Sequence, residues 1–162
     1  ASAGCLGSIT DGGSDGPPFE LRVDDVRVQV ETIDFDVDIT DAAVTEEATA
    51  TVETTCTNTG DEEYVVGVRP DDPTYWFSDE SPPALALVPP QAFDLDRATE
   101  TCWEPVESLD DTLEGKSTTL QPGEAATVRY ELWDTAVSEE QCLSPGTYRF
   151  VKRDWELTVE LV

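Results

Sequence analysis

The sequence predicts an all-β fold, an antiparallel sandwich of about seven to nine strands. Three observations predict it. Several segments alternate apolar and polar residues with a period of two: Val26-Arg27-Val28-Gln29-Val30-Glu31, Asp34-Phe35-Asp36-Val37-Asp38-Ile39, Val128-Arg129-Tyr130-Glu131-Leu132 and Trp155-Glu156-Leu157-Thr158-Val159-Glu160-Leu161. That period sets one face on a core and the other in solvent. Valine and threonine, which suit a half-buried pleated surface, are abundant. Turn residues punctuate the chain at short intervals, and no segment carries a sustained helical stripe.

On this basis strands are expected at about 20–31, 34–40, 47–58, 62–69, 84–88, 124–133, 146–152 and 155–162. Asn58-Thr59-Gly60-Asp61 is expected to join two of them as a hairpin, and Lys152-Arg153-Asp154 the last two. Residues 91–100 and 106–113 have room for a helical turn each. Residues 1–18, ASAGCLGSITDGGSDGPP, read as a flexible leader or tether rich in Gly, Ser, Asp and Pro. Residues 19–162 then form one domain.

Charge bounds the habitat. The chain carries 36 Asp and Glu against 9 Lys and Arg, a formal charge of −27 over 162 residues. A compact fold so charged repels itself unless counter-ions screen it. The screening length is about 8 Å at 0.15 M salt and about 3 Å near 1 M. The composition resembles that of salt-in halophiles, the haloarchaea above all, and implies a protein at home in strong brine. It argues against a nucleic-acid partner, which needs a basic footprint. The chain has no histidine, so neither a Ser-His-Asp nor a Cys-His nucleophile set can be built, and no histidine metal site. No nucleophile-plus-base set is visible, and an enzyme is not expected. No run of 18 apolar residues would span a membrane as a helix.

The stretch Ser2-Ala3-Gly4-Cys5-Leu6-Gly7, small residues before a cysteine and a polar spacer after it, resembles the lipobox junction of haloarchaeal secreted lipoproteins. Ser2 stands where that family has leucine. The resemblance implies lipidation at Cys5 and a membrane contact through that lipid alone. A second reading is cleavage after Ala1-Ser2-Ala3 by a signal peptidase. Both place the domain outside the cell, at its surface. Export favours disulfides, and Cys5, Cys56, Cys102 and Cys142 are available. We expect a Cys102–Cys142 bridge. Cys56 falls near the far end of its strand, and Cys142 before the Ser144-Pro145-Gly146 turn, at what should be the opposite end. Without a CxxC pair or histidine, zinc is the weaker reading.

Two further segments, Leu120-Gln121-Pro122-Gly123 and Leu143-Ser144-Pro145-Gly146-Thr147-Tyr148, carry paired L-x-P-G turns, the second leading into a tyrosine expected to be buried. They are similar to elements of immunoglobulin-like modules such as fibronectin type III domains and the intracellular proteinase inhibitors of bacilli. The resemblance implies an immunoglobulin-like sandwich and no particular activity. The Cys…Trp…Cys core of antibody domains is missing.

Candidate binding residues are few. Tyr75, Trp76 and Phe77 sit in a Pro- and Asp-rich connection and would offer a sugar-stacking or partner-anchoring surface if exposed, or cap the sandwich if not. Trp103 is expected to cap in the same way, beside Cys102. Arg149, Lys152 and Arg153 gather basic charge that could receive an acidic patch of another subunit or a surface polyanion, or balance Asp154 and Glu156 locally. Asp34, Asp36 and Asp38, about 6.6 Å apart on one strand face, read as a solvated acidic face holding cations loosely. No cofactor is expected. The expected role is therefore binding or adhesion at the cell surface, with an unidentified protein or glycan partner. The alternative is a subunit of an extracellular filament, the 20–31 strand completing a neighbour's sheet. A third, a protease-inhibitor-like module, rests on fold analogy alone.

Overall fold

The computed structural model describes residues 18–66, 76–79, 83–90, 95–98, 102–106, 118–135, 143–151 and 154–162. Among them every regular element is a strand: β1 (Phe19–Val28), β2 (Ile33–Asp41), β3 (Ala43–Val44), β4 (Thr51–Asn58), β5 (Tyr64–Val66), β6 (Trp76–Phe77), β7 (Leu85–Val88), β8 (Thr118–Leu120), β9 (Ala125–Asp134), β10 (Gly146–Val151) and β11 (Trp155–Leu161). Each expected strand overlaps one of these. The short β3, β6 and β8 were not expected. Of the two expected helical turns, the described part at 95–98 is not helical, since Arg97 forms an antiparallel bridge with Pro105. The rest of the first turn, the second turn beyond Val106, and the leader 1–17 lie outside the described residues.

Two antiparallel sheets carry the domain, in the orders β10-β11-β1-β3 and β2-β4-β9-β7-β6, and β5 pairs with β8 in a small third. From β1 to β4 the chain alternates between the two sheets, whereas β6–β7 and β10–β11 are neighbours within one sheet; the apolar row of each sheet meets that of the other. In β1 the alternation breaks once, at Val23-Asp24-Asp25-Val26, and the ladder with β11 shifts register at that place. The bulge lets Leu21 and Val23 before it, and Val26 and Val28 after it, stand across from Leu161, Val159, Leu157 and Trp155. β1, expected as the strand lent to a neighbour in a filament, is thus paired from Leu21 to Val28 within its own chain. Glu20 and Val162 exchange two backbone hydrogen bonds, of 2.9 and 3.0 Å, so both lie at one pole. The β10–β11 turn lies at the other, where Val151 faces Glu156 beside Arg27.

The core between the sheets is aromatic at its centre. Trp76, 3% exposed, is the hub. Its ring meets Phe35 at 6.2 Å and Phe150 at 5.6 Å edge-on, and Tyr130 at 6.1 Å tilted. Phe35 in turn stacks on Trp155 at 4.6 Å. Those rings come from both sheets, so burial and ring geometry act together to hold the layers. A smaller cluster lies on the outer side of the larger sheet, where Ala86, Val88 and Trp133 pack with Phe77, Leu95 and Trp103.

The Asn58-Thr59-Gly60-Asp61 turn does not make the expected hairpin. β4 pairs with β2 and β9, and β5 pairs with β8. The chain turns a corner there, and Asn58 holds it. Its side-chain amide donates to the Glu62 and Leu120 carbonyls at 2.8 and 2.9 Å and accepts from the Gly60 N–H at 2.9 Å. Its own N–H and carbonyl bond Glu124 and Gly123. A fully buried amide so paired fixes three chain segments at one point. Gly123 sits at φ +83°, which a side chain rarely adopts, and turns the chain into β9. At the other L-x-P-G turn the Tyr148 hydroxyl donates to the Ser144 carbonyl at 2.6 Å.

Candidate functional site

Strand parity decides which charges face outward, and the two sheets differ. On the outer face of the larger sheet the register places Asp34, Asp36 and Asp38 beside Thr57, Thr55 and Glu53, and these beside Ala125, Thr127 and Arg129. With Glu131 that face sets five carboxylates against one arginine. The three aspartates stay a solvated row. Among the described residues no three carboxylates or cysteines converge to hold a metal.

The outer face of the smaller sheet is different. Arg22 stands opposite Glu160 and Arg27 opposite Glu156, while Arg149 stands opposite Thr158 on the far side of β11. With Glu20, Asp25 and Asp79, three arginines meet five carboxylates there. Arg22 Nε donates to Glu20 and Arg27 Nε to Asp25, each at 2.8 Å. The hydrogen bond to Glu20 raises the Arg22 pKa most, with help from the charges of Glu20 and Glu160. Arg27 is raised in the same way by Asp25, then by the charge of Glu156. Arg149 reaches Asp79 from both Nε and Nη2 at 3.0 Å. These pairs are exposed and individually weak. Their effect is on the field: this face is less acidic than the outer face of the larger sheet.

Of the residues expected to bind, Arg149 is exposed on this face, and the Lys152-Arg153 turn next to it lies outside the described residues. Arg22 and Arg27 were missed, because they join Arg149 only across β11. The signal was there in the alternation on either side of Asp24-Asp25. The aromatic trio fares otherwise. Trp76 is a correction: it is core, not an exposed ring, because β6 carries it between the sheets. Phe77 is half-buried in the outer cluster, and Tyr75 lies outside the described residues.

Of the cysteines, Cys56 is a buried free thiol and Cys102 is disulfide-bonded. Cys5 and Cys142 lie outside the described residues. Burial first, then the Asp154 and Asp34 carboxylates, push the Cys56 thiol up to about 11. Cys56 pairs with Ala126 near the pole of the β10–β11 turn, whereas β10 begins at Gly146 beside Leu161, at the pole of Glu20 and Val162. The end-to-end separation of Cys56 from the 144–146 turn therefore holds. Trp103, expected to cap the bridge, is held by other partners. Its ring meets Trp133 edge-on at 5.2 Å, its Nε1 donates to the Thr45 carbonyl at 2.7 Å, and Arg97 stacks over it at 4.1 Å.

No family model, curated protein or solved structure matches this chain.

Proposed function

We propose that this chain is a non-enzymatic binding or adhesion domain on the outer surface of a halophilic cell, anchored by a lipid on Cys5. One observation carries the binding role: the sorting of charge between the two sheet faces. On a molecule of −27, most surfaces repel other acidic macromolecules. The face of Arg22, Arg27 and Arg149 is where a partner or surface polyanion meets least repulsion. Lys152 and Arg153 follow β10 directly in the sequence and add two basic charges beside Arg149 in the chain.

An immunoglobulin-like frame fits this role. The order β2-β4-β9-β7 follows that of the four-stranded sheet of such domains, with the β10–β11 hairpin opposite it. The bond from Tyr148 to the carbonyl four residues upstream has the form of their tyrosine corner. The antiparallel addition of β1 to β11 is this chain's own departure. A Cys102–Cys142 bridge completes the proposal.

The test uses the full-length native protein in molar KCl. The protein partitions into a detergent phase, and Cys5→Ser moves it, still folded, to the aqueous phase. Retention on isolated cell envelopes falls at least tenfold in the Arg22→Glu/Arg27→Glu/Arg149→Glu variant and is unchanged in Arg129→Glu. Equal retention of both variants would remove the binding face, and an unmodified Cys5 in the intact mass would remove the anchor.

A further inference from the structure

The outer face of the smaller sheet repeats one pairing at two heights along its central ladder. Arg22 of β1 stands opposite Glu160 of β11, and further along Arg27 stands opposite Glu156. Between them Asp25 stands opposite Thr158. The bulge at Asp24 absorbs one residue and keeps Arg27 on the same face as Arg22. At both heights the charge is therefore positive on β1 and negative on β11. Arg22 and Arg27 each engage a carboxylate of their own strand through Nε, Glu20 and Asp25 respectively. Glu156 and Glu160 form no ion pair among the described residues. Both glutamates are half-buried in the middle of the face, between β1 and β10.

We infer that this face recognises a second copy of itself; the inference rests on the binding-face reading above and names its partner. A two-fold axis parallel to the strands, lying between β1 and β11, exchanges the two columns and keeps their heights. Arg22 and Arg27 then lie over Glu160 and Glu156 of the second copy, and the same pairs recur in the opposite sense. Asp25 lies over the Thr158 hydroxyl, which donates to it. Glu20 lies over the end of β11 at Val162, so no carboxylate of the two columns meets another. β10, one strand further out, overhangs β1 of the second copy and brings Arg149 to the level of Asp25 there. Stacked sheets lie about 10 Å apart, a gap that an arginine and a glutamate span together. An axis across the strands would instead set Arg22 over Arg27 and Glu156 over Glu160, so charge complementarity selects one arrangement. The outer face of the larger sheet, whose ladders carry a single arginine, Arg129, cannot repeat the pairing. In molar salt the repulsion between the two whole molecules is screened beyond about 3 Å, whereas charges brought into contact keep their attraction.

Sedimentation equilibrium of the full-length protein in molar KCl tests this, with a dimeric parent as the expected result. Arg22→Glu/Arg27→Glu makes both columns acidic, and Glu156→Arg/Glu160→Arg makes both basic. Each variant alone should dissociate, its dimer constant weakened roughly tenfold or more. Mixed in equal amounts, the two restore all four contacts, and the mixture should dimerise again. Arg129→Glu, on the other sheet, should dimerise as the parent does. If circular dichroism shows that a paired variant fails to fold, the single changes Arg27→Glu and Glu156→Arg carry the same test, each weakening the dimer roughly threefold and recovering on mixing. A monomeric parent, variants that dimerise as the parent does, or a mixture no stronger than its parts would overturn self-recognition. The binding-face reading falls separately, only if envelope retention is also unchanged in the triple arginine variant.

Discussion

Asn58 and Cys56 lie two residues apart on β4 and show opposite ways of burying a polar group. Asn58 is satisfied at every side-chain atom that can bond, so its removal strands partners. Asn58→Ala leaves the Glu62 and Leu120 carbonyls and the Gly60 N–H without it. We expect a loss of about 2–4 kcal/mol, read from thermal unfolding in molar salt. Cys56 is buried without its charge. Burial raises its pKa in the folded protein to about 11 from an ordinary 9.0, so the unfolded chain loses the proton first as pH rises. The thiol's contribution is full below pH 9, falls between 9 and 11 and is gone above. Its size is on the order of 2–3 kcal/mol. Tyr130, raised by burial, adds a like fall from about pH 10 upward. In Cys56→Ala the onset of alkaline destabilisation should therefore move from about pH 9 to about pH 10, as followed by urea unfolding. An onset still at pH 9 would show that another group is responsible.

At the scale of the strand, β1 is the informative element. Beyond Arg22 its outer edge has no partner among the described residues, and Val23 and Val28 are each 38% exposed there. An edge of this kind invites pairing with another chain, and a bulge is one device that prevents it. Deleting Asp24 would restore unbroken alternation through Phe19-Glu20-Leu21-Arg22-Val23-Asp25-Val26. The inner row would keep its register with β11, so the domain should still fold. The flattened edge should self-associate, and sedimentation in molar KCl should show species larger than the parent's; an unchanged distribution would mean the bulge does not guard the edge. This phase break was present in the sequence, as were the eight longer strands, because period-two alternation is a local signal. What was not legible depended on distant partners. Asn58-Thr59-Gly60-Asp61 has hairpin chemistry, yet Asn58 binds Leu120, 62 residues away, and the corner wins. The Tyr75-Trp76-Phe77 run gives no local sign that its middle ring fills the core. Arg22 and Arg149 become neighbours only through β11.

At the scale of the molecule, charge dominates. The described arginines are largely held by nearby carboxylates or rings, so they do not relieve the excess of acid elsewhere. Stability should therefore rise steeply from 50 mM to molar KCl, as screening shortens the range of repulsion from more than a nanometre to about 3 Å. A melting temperature independent of salt would contradict the halophilic reading. The rise should be blunted if carboxylates of the larger sheet's outer face are neutralised, as in Asp34→Asn/Asp36→Asn/Asp38→Asn, because these charges repel along one strand without facing arginines.

The adjacency of Glu20 and Val162 also bears on mechanics. Pulling on those two points loads the β1–β11 ladder at one end only. Its hydrogen bonds would open in succession, like a zipper, rather than resist together in shear. A domain tied in that way gives way at low tension, and it suits a pendant hung beside a load path better than a link within one.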